Sequence, residues 1–151
     1  HEYSSLEFRL FDMMPAVDDA VGVAAAVQAL VAWLVDLRSH NISFRTYPRS
    51  LIEENKWRAE RYGLNGKLID FGKERQLPAR TLVRELLRLV DPYVNQLGAR
   101  HEVDHLYTVI EQGTSADRQR RVYQQLGGNA NRQEALRAVV DSLVAETMIC
   151  R

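Results

Sequence analysis

The chain of 151 residues has a single cysteine, Cys150, next to its C-terminus. That excludes internal disulfides and cysteine-based zinc sites, and a reducing cytoplasm is the expected compartment. An excess of one charge is lacking too, since 20 basic residues stand against 20 acidic ones. Nucleic-acid binders usually carry a basic surplus, so nucleic acid is not an expected partner. No apolar run reaches the ~20 residues that a membrane span requires. The longest, Ala20 to Val35, is interrupted by Gln28; a buried helix accounts for it, and no membrane partner is expected. There is no initiator methionine, no signal peptide and no polar lead-in. The chain reads as the C-terminal part of a longer protein.

What is present is a globular balance, with 46% hydrophobic and 26% charged residues. Its length suits one domain with a core, or a large piece of one. From Ser5 to Phe11 the residues alternate, with Leu6, Phe8 and Leu10 on one face and Glu7 and Arg9 on the other, as in a half-buried strand. A single strand cannot satisfy its own hydrogen bonds. The only later extended candidates are Ile42–Thr46 and Lys67–Phe71, so its partner strands are expected in a region outside this chain.

After DMMP the pattern turns helical. A first helix runs to about Arg38, with Asp18 and Asp19 suited to its positive end. Its expected core stripe is Val23, Val27, Leu30, Val31, Leu34 and Leu37, and Gly22 and Ala24–Ala26 permit close approach of a neighbour. Further helices are expected over Arg49–Tyr62, stopped by Gly63, and from near Pro78 with a kink or break at Pro92. Ala99–Gln112, Ser115–Leu126 and Asn131–Thr147 complete about six. Thr114 or Ser115 is a suitable N-cap. The expected class is α+β, a predominantly helical piece with one N-terminal strand that joins a sheet supplied elsewhere.

HEVDH at 101–105 has the His-Glu-x-x-His spacing of zinc hydrolases, with His101 and His105 as ligands and Glu102 as base. Context argues against it. Gly98 puts His101 in the first turn of its helix, Asp104 places a charge between the histidines, and no third ligand is specified. A solvated face above inward-turned Val103, Leu106, Val109 and Ile110 accounts for the same letters.

The stretch LEFRLFDMMP is more informative. Strand alternation sets Glu7 and Arg9 on one face about 7 Å apart. A carboxylate offers hard oxygens to Mg²⁺, and a guanidinium makes a forked contact with phosphoryl oxygens. Pattern alone equally describes a surface ion pair. However, LEFRLFDMMPAVDDAVGVAAAVQALVAWLVDLR, then ENKWRAERYGLNGKLID, PARTLVRELLRLVDP, GTSADRQRRVY and AVVDSLVAET together resemble bacterial carboxylate–amine ligases of the glutamate–cysteine ligase-like family. The likeness covers nearly the whole chain in order, and the first two blocks and GTSADRQR are specific.

That resemblance implies a glutamine synthetase-like parent fold, of which residues 1–151 form the C-terminal portion of one catalytic domain. It implies an ATP-dependent ligase that activates a glutamate-like carboxylate as an acyl phosphate, which a cysteine-like amine then attacks. ATP and Mg²⁺ are the implied cofactors. Glu7 is the implied metal ligand and Arg9 the catalytic residue on the transferred phosphoryl group. Asn55, Trp57, Arg58 and Arg118 are candidates for nucleotide or substrate. For each there is a plain alternative: Trp57 in the core, Arg58 and Arg61 in solvent, and Asp117, Arg118 and Arg121 in an ion-paired helix surface. Asp12 is expected to cap the turn into DMMP or to orient Arg9. The acidic and phosphate-binding elements of the family's first part do not occur in these residues, so the chain alone is expected to be catalytically incomplete. Its expected partners are the missing N-terminal half, or a companion polypeptide, and a second copy. A non-catalytic helical interaction module on the same scaffold is the competing reading.

Overall fold

Apolar residues recur at helical spacing through most of the chain, and helices form where they do. The computed structural model describes residues 5–149, and Cys150 lies outside them. Six α-helices and one hairpin are present among these residues: α1 (Val17–Ser39), α2 (Arg49–Tyr62), β1 (Lys67–Asp70), β2 (Arg75–Pro78), α3 (Ala79–Gln96), α4 (Arg100–Gln112), α5 (Ser115–Gln125) and α6 (Arg132–Met148). Short 3₁₀ turns follow α2 and precede α6. The chain is therefore mainly helical, with one small antiparallel sheet in which Leu68 faces Leu77 and Ile69 faces Gln76.

The expected N-terminal strand forms no ladder. Residues 6–14 carry no regular secondary structure, and the hairpin does not include them. Of the two later extended candidates, 67–70 is β1, whereas 42–46 is irregular and exposed. Pro92 neither breaks α3 nor ends it; the helix runs on to Gln96. A proline there costs one backbone hydrogen bond. Burial of Val90 and Val94, one on each side of it, offsets that loss.

The core forms where α1 lies against α3 and α4. Leu87, Val90, Val94, Val103, Leu106 and Ile110 meet α1, whose fully buried share is Ala25 and Ala29, with Val23 and Leu30 packed against the core and only partly buried. The expected stripe of Val23, Val27 and Val31 is only half-buried, while Gly22, Ala25 and Ala29 are buried. Small residues win this face because two helix backbones meet there. A Cβ at Gly22 would lie 2.8 Å from the Glu102 carbonyl oxygen and 3.0 Å from Leu106 Cδ2. A backbone carbonyl cannot turn aside as a side-chain tip can. Gly22→Ala should therefore push α1 off α4 and destabilise the fold by about 1–3 kcal/mol, to be read from the denaturation midpoint. An unchanged midpoint would show that the two helices separate at no cost.

By length and composition α1 passes as a membrane-crossing helix. Its packing is that of a bundle helix. One face is buried on α3 and α4, Asp19 lies at one end in an ion-paired network, and Asp36 at the other accepts a hydrogen bond from Tyr93 at 2.7 Å. α5 and α6 pack on each other as a separate hairpin of helices.

Candidate functional site

Glu7 and Arg9 meet side by side, although residues 6–14 form no strand. Arg9 donates to Glu7 through Nε at 2.8 Å and through Nη2 at 2.9 Å, a forked pair. Both side chains are open to solvent, at 82% for Arg9 and 69% for Glu7. Among the described residues neither makes another ion pair or hydrogen bond. Asp12 does not orient Arg9. Its carboxylate accepts the Met13 N–H at 2.9 Å, and the first helix, whose N-cap is Ala16, takes no side-chain cap from it.

On α2 the helix stops where Gly63 takes φ 55°, a conformation that side-chain-bearing residues rarely adopt. Asn55 faces β1. Its amide nitrogen donates to the Ile69 carbonyl at 2.8 Å and its oxygen accepts the Ile69 N–H at 2.7 Å. With both polar ends committed, Asn55 has a structural post. Asn55→Ala should destabilise the protein by about 1–3 kcal/mol, since two part-buried backbone groups lose their partner; hydrogen exchange at the Ile69 amide would report it directly. Trp57 is exposed rather than in the core, and stands edge-on to Tyr62 with ring centres 5.8 Å apart. Arg58 is held along its own helix by Glu54 at 2.7 Å.

Arg118 is the most heavily engaged of the candidates. Its Nη2 donates to Asp19 at 2.7 Å, its Nε to Glu146 at 3.0 Å, and its Nη1 to the Gly113 carbonyl at 3.3 Å. Asp19, buried on α1, also accepts from His105 Nε2 at 2.8 Å. One network thus joins α1, α4, α5 and α6. Burial pushes the Asp19 carboxyl upward, but hydrogen bonds from Arg118 and His105, with their charges, outweigh it and hold the group below the ordinary aspartate value. Burial likewise opposes the charge on Arg118, and Glu146 and Asp19 more than restore it. Neither Asp19 nor Glu146 was visible in advance. Asp19 reads in the sequence as an ordinary first-turn acid, and nothing in the letters places it opposite Arg118, 99 positions on.

At the head of α5, Thr114 is the N-cap, and its N–H and hydroxyl both donate to Asp117 at 3.0 Å. Asp117 also accepts from Arg120 at 2.7 Å. Burial raises its pKa, and the Arg120 and Thr114 hydrogen bonds overcome this and lower it.

The HEVDH histidines do not make a metal site. His105 Nε2 is given to Asp19, His101 is exposed, and among the described residues no group of three His, Cys, Asp or Glu side chains stands where it could hold a metal ion. Glu7 likewise has no companion ligands there, so any cation at Glu7 needs further oxygens from elsewhere.

The sequence blocks nevertheless converge. A cleft of about 560 Å³ is bounded by Asp12–Met14 after the Glu-x-Arg segment, by 59–63 at the end of ENKWRAERYG, and by Thr114–Ala116 at the start of GTSADRQR. Arg61, Gln119 and Arg120 add polar groups to its wall. Glu7, Arg9, Asn55, Trp57, Arg58 and Arg118 are not among its lining residues.

The family profile for glutamate-cysteine ligase family 2 (GCS2) matches residues 2–142. A protein of Chloroflexus aggregans named "Putative glutamate--cysteine ligase 2" is 47% identical over 146 residues, 97% of this chain and 36% of the relative. Proteins with the same name from Roseiflexus castenholzii and Solibacter usitatus are 47% and 44% identical, over 97% and 96% of this chain and 37% and 36% of their own lengths. The chain thus spans little more than a third of these relatives. No solved structure matches it.

Proposed function

Because the chain belongs to glutamate-cysteine ligase family 2, we propose that it is the C-terminal portion of the catalytic domain of an ATP-dependent carboxylate–amine ligase. The reaction joins a glutamate-like carboxylate to a cysteine-like amine as an amide or γ-glutamyl bond, by way of an acyl phosphate, in the cytoplasm. The observation that carries this reading is the convergence of the three family blocks on one cleft between the N-terminal segment, α2 and α5. Residues far apart in sequence and alike in family gather around one space large enough for a small-molecule ligand.

Within this reading Glu7 and Arg9 form the reactive edge. They fit the role chemically, as an exposed carboxylate and an exposed guanidinium side by side with no other bond to break. Glu7 would give one hard oxygen to Mg²⁺, and Arg9, whose Nε and Nη2 are turned to Glu7, would offer its remaining N–H groups to a phosphoryl oxygen. ATP would supply, when bound, the phosphoryl group that activates the carboxylate. Arg9 would stabilise charge where it develops on that group, which is electrostatic positioning rather than proton transfer. Asn55 and Arg118 do not fit as ligands, because their polar atoms are already taken. Asn55 ties α2 to β1, and Arg118 ties α5 to α1 and α6.

The test is a full-length chimera in which this chain replaces the matched 146 residues of the Chloroflexus aggregans relative. The expected result is ADP release that requires Mg²⁺, glutamate and cysteine together. A soluble chimera that releases no ADP, or releases it regardless of the carboxylate and amine, would overturn the reading.

A further inference from the structure

Of the arginines that make a hydrogen bond among the described residues, all but two hold a carboxylate. The two are Arg80 and Arg121. Arg80 Nη2 donates to the Asn65 side-chain oxygen at 3.0 Å, and Arg121 Nη2 to the Gln112 carbonyl at 2.9 Å. Neutral acceptors therefore fix both guanidinium groups in place and leave their charge uncompensated. Each keeps further N–H donors, since a guanidinium carries five. Both line one pocket of about 380 Å³ between the start of α3, the end of α4 and α5, where every wall residue but Gly113 is polar.

The two carboxylates of the pocket do not supply the missing charge. Glu111 is paired with Arg84, and Asp117 with Arg120, a further wall residue, at 2.7 Å. The negative end of α4 is closed as well. Its Gln112 carbonyl is the one that Arg121 holds, and the Gly113 carbonyl accepts from Arg118. The positive charges of Arg80 and Arg121 thus stand together on the wall of one polar pocket, and charges of one sign in a cleft concentrate counter-ions of the other.

We propose that this pocket binds a phosphate group, held by Arg80 from α3 and Arg121 from α5. A phosphate carries about two negative charges at neutral pH and at least three acceptor oxygens. That matches two uncompensated guanidinium groups, whereas a carboxylate brings about half the charge. Arginines already oriented lose little freedom when they bind, so the pocket is organised before its ligand arrives. Arg120 borders both this pocket and the cleft of Asp12 and Arg61, so a bound phosphate lies beside that cleft. The group comes either from free phosphate or from the phosphate chain of a nucleotide. The assignment stands on charge and geometry and does not rest on the ligase reading.

Isothermal titration calorimetry of the full chain at constant ionic strength tests this, with inorganic phosphate and with ADP, both free of Mg²⁺. At least one of the two should bind saturably. Arg80→Gln and Arg121→Gln should each weaken that binding by about tenfold or more, the loss of a charge-assisted hydrogen bond. Arg121 is exposed, so its variant tests the site even where Arg80→Gln unfolds the chain. Arg80→Lys and Arg121→Lys should recover part of the affinity, since they keep the charge without the fork. Arg88→Gln removes an exposed charge from α3 outside the pocket and should leave the affinity unchanged. If ADP shows the dependence on Arg80 and Arg121, a nucleotide chain can supply the group; if phosphate alone shows it, free phosphate does. No saturable binding of either, or binding that Arg88→Gln weakens as much as Arg121→Gln does, overturns the proposal. None of these outcomes depends on ADP release by the chimera, so the pocket and the ligase reading stand or fall separately.

Discussion

Replacing Arg9 by alanine in the completed enzyme should lower substrate-dependent ADP release by about 10²–10³-fold, the usual loss when one preorganised donor to a developing anion is removed. The same change should leave the melting temperature of the chain where it was. Both halves of this expectation come from one observation: Arg9 and Glu7 are paired to each other and otherwise lie in solvent. An exposed ion pair adds little to folding, so a large kinetic effect cannot be a disguised stability effect. Arg9→Lys should recover only part of the rate, since an ammonium keeps the charge but loses the planar fork. Glu7→Gln should raise the Mg²⁺ concentration needed for half-maximal rate. If Arg9→Ala turned over normally, the chain would be better described as a helical scaffold whose chemistry lies elsewhere.

Asp19→Ala should act in the opposite way, on stability first. Asp19 is buried and accepts from both Arg118 and His105. Removing it takes one of three partners from the Arg118 guanidinium and the only hydrogen-bond partner of His105 among the described residues. The loss should be about 3 kcal/mol at neutral pH, and the α5–α6 hairpin should be released from α1 before the rest unfolds. Its pH dependence has a fixed sign. The folded protein holds the Asp19 carboxyl below its ordinary value, so the folded state binds this proton less readily than the unfolded one does. The stabilisation is complete above the unfolded pKa and is lost as pH falls, which places the window below about pH 4. Asp117, depressed by burial-opposing bonds of its own, contributes in the same range. Asp19→Asn should therefore give a shallower acid limb in urea titrations at pH 3–5, not a flat one. An acid limb identical to that of the wild type would mean that Asp19 titrates alike in both states.

Much of the helical plan was legible in the letters, because periodicity and stop residues are local properties. α2 ends at Gly63 as expected, and Thr114 caps α5. The errors share a cause. Valines and leucines in α1 looked like the core side because burial usually favours large side chains, yet the distance to α4 is set by backbone contact at Gly22. β2, Arg75–Pro78, is four residues, two polar and two apolar, with no readable alternation. The fate of a polar side chain was the least legible property. Asn55 and Arg118 carried family character but are consumed by Ile69, Asp19 and Glu146, whose positions depend on the assembled fold. Glu7 and Arg9 could be placed together because residues two apart in an extended chain turn the same way, and they meet as an ion pair although 6–14 form no strand.

The grip of Asn55 on Ile69 has a further consequence, for solubility. A two-stranded hairpin has two open edges, and each can recruit a strand from another molecule. Here the Ile69 N–H and C=O, on the side of β1 away from β2, are already filled by a side chain that mimics the bonds of a neighbouring strand. Asn55 therefore works as a blocker against edge-to-edge aggregation, and a protein that lost it would become stickier as well as less stable.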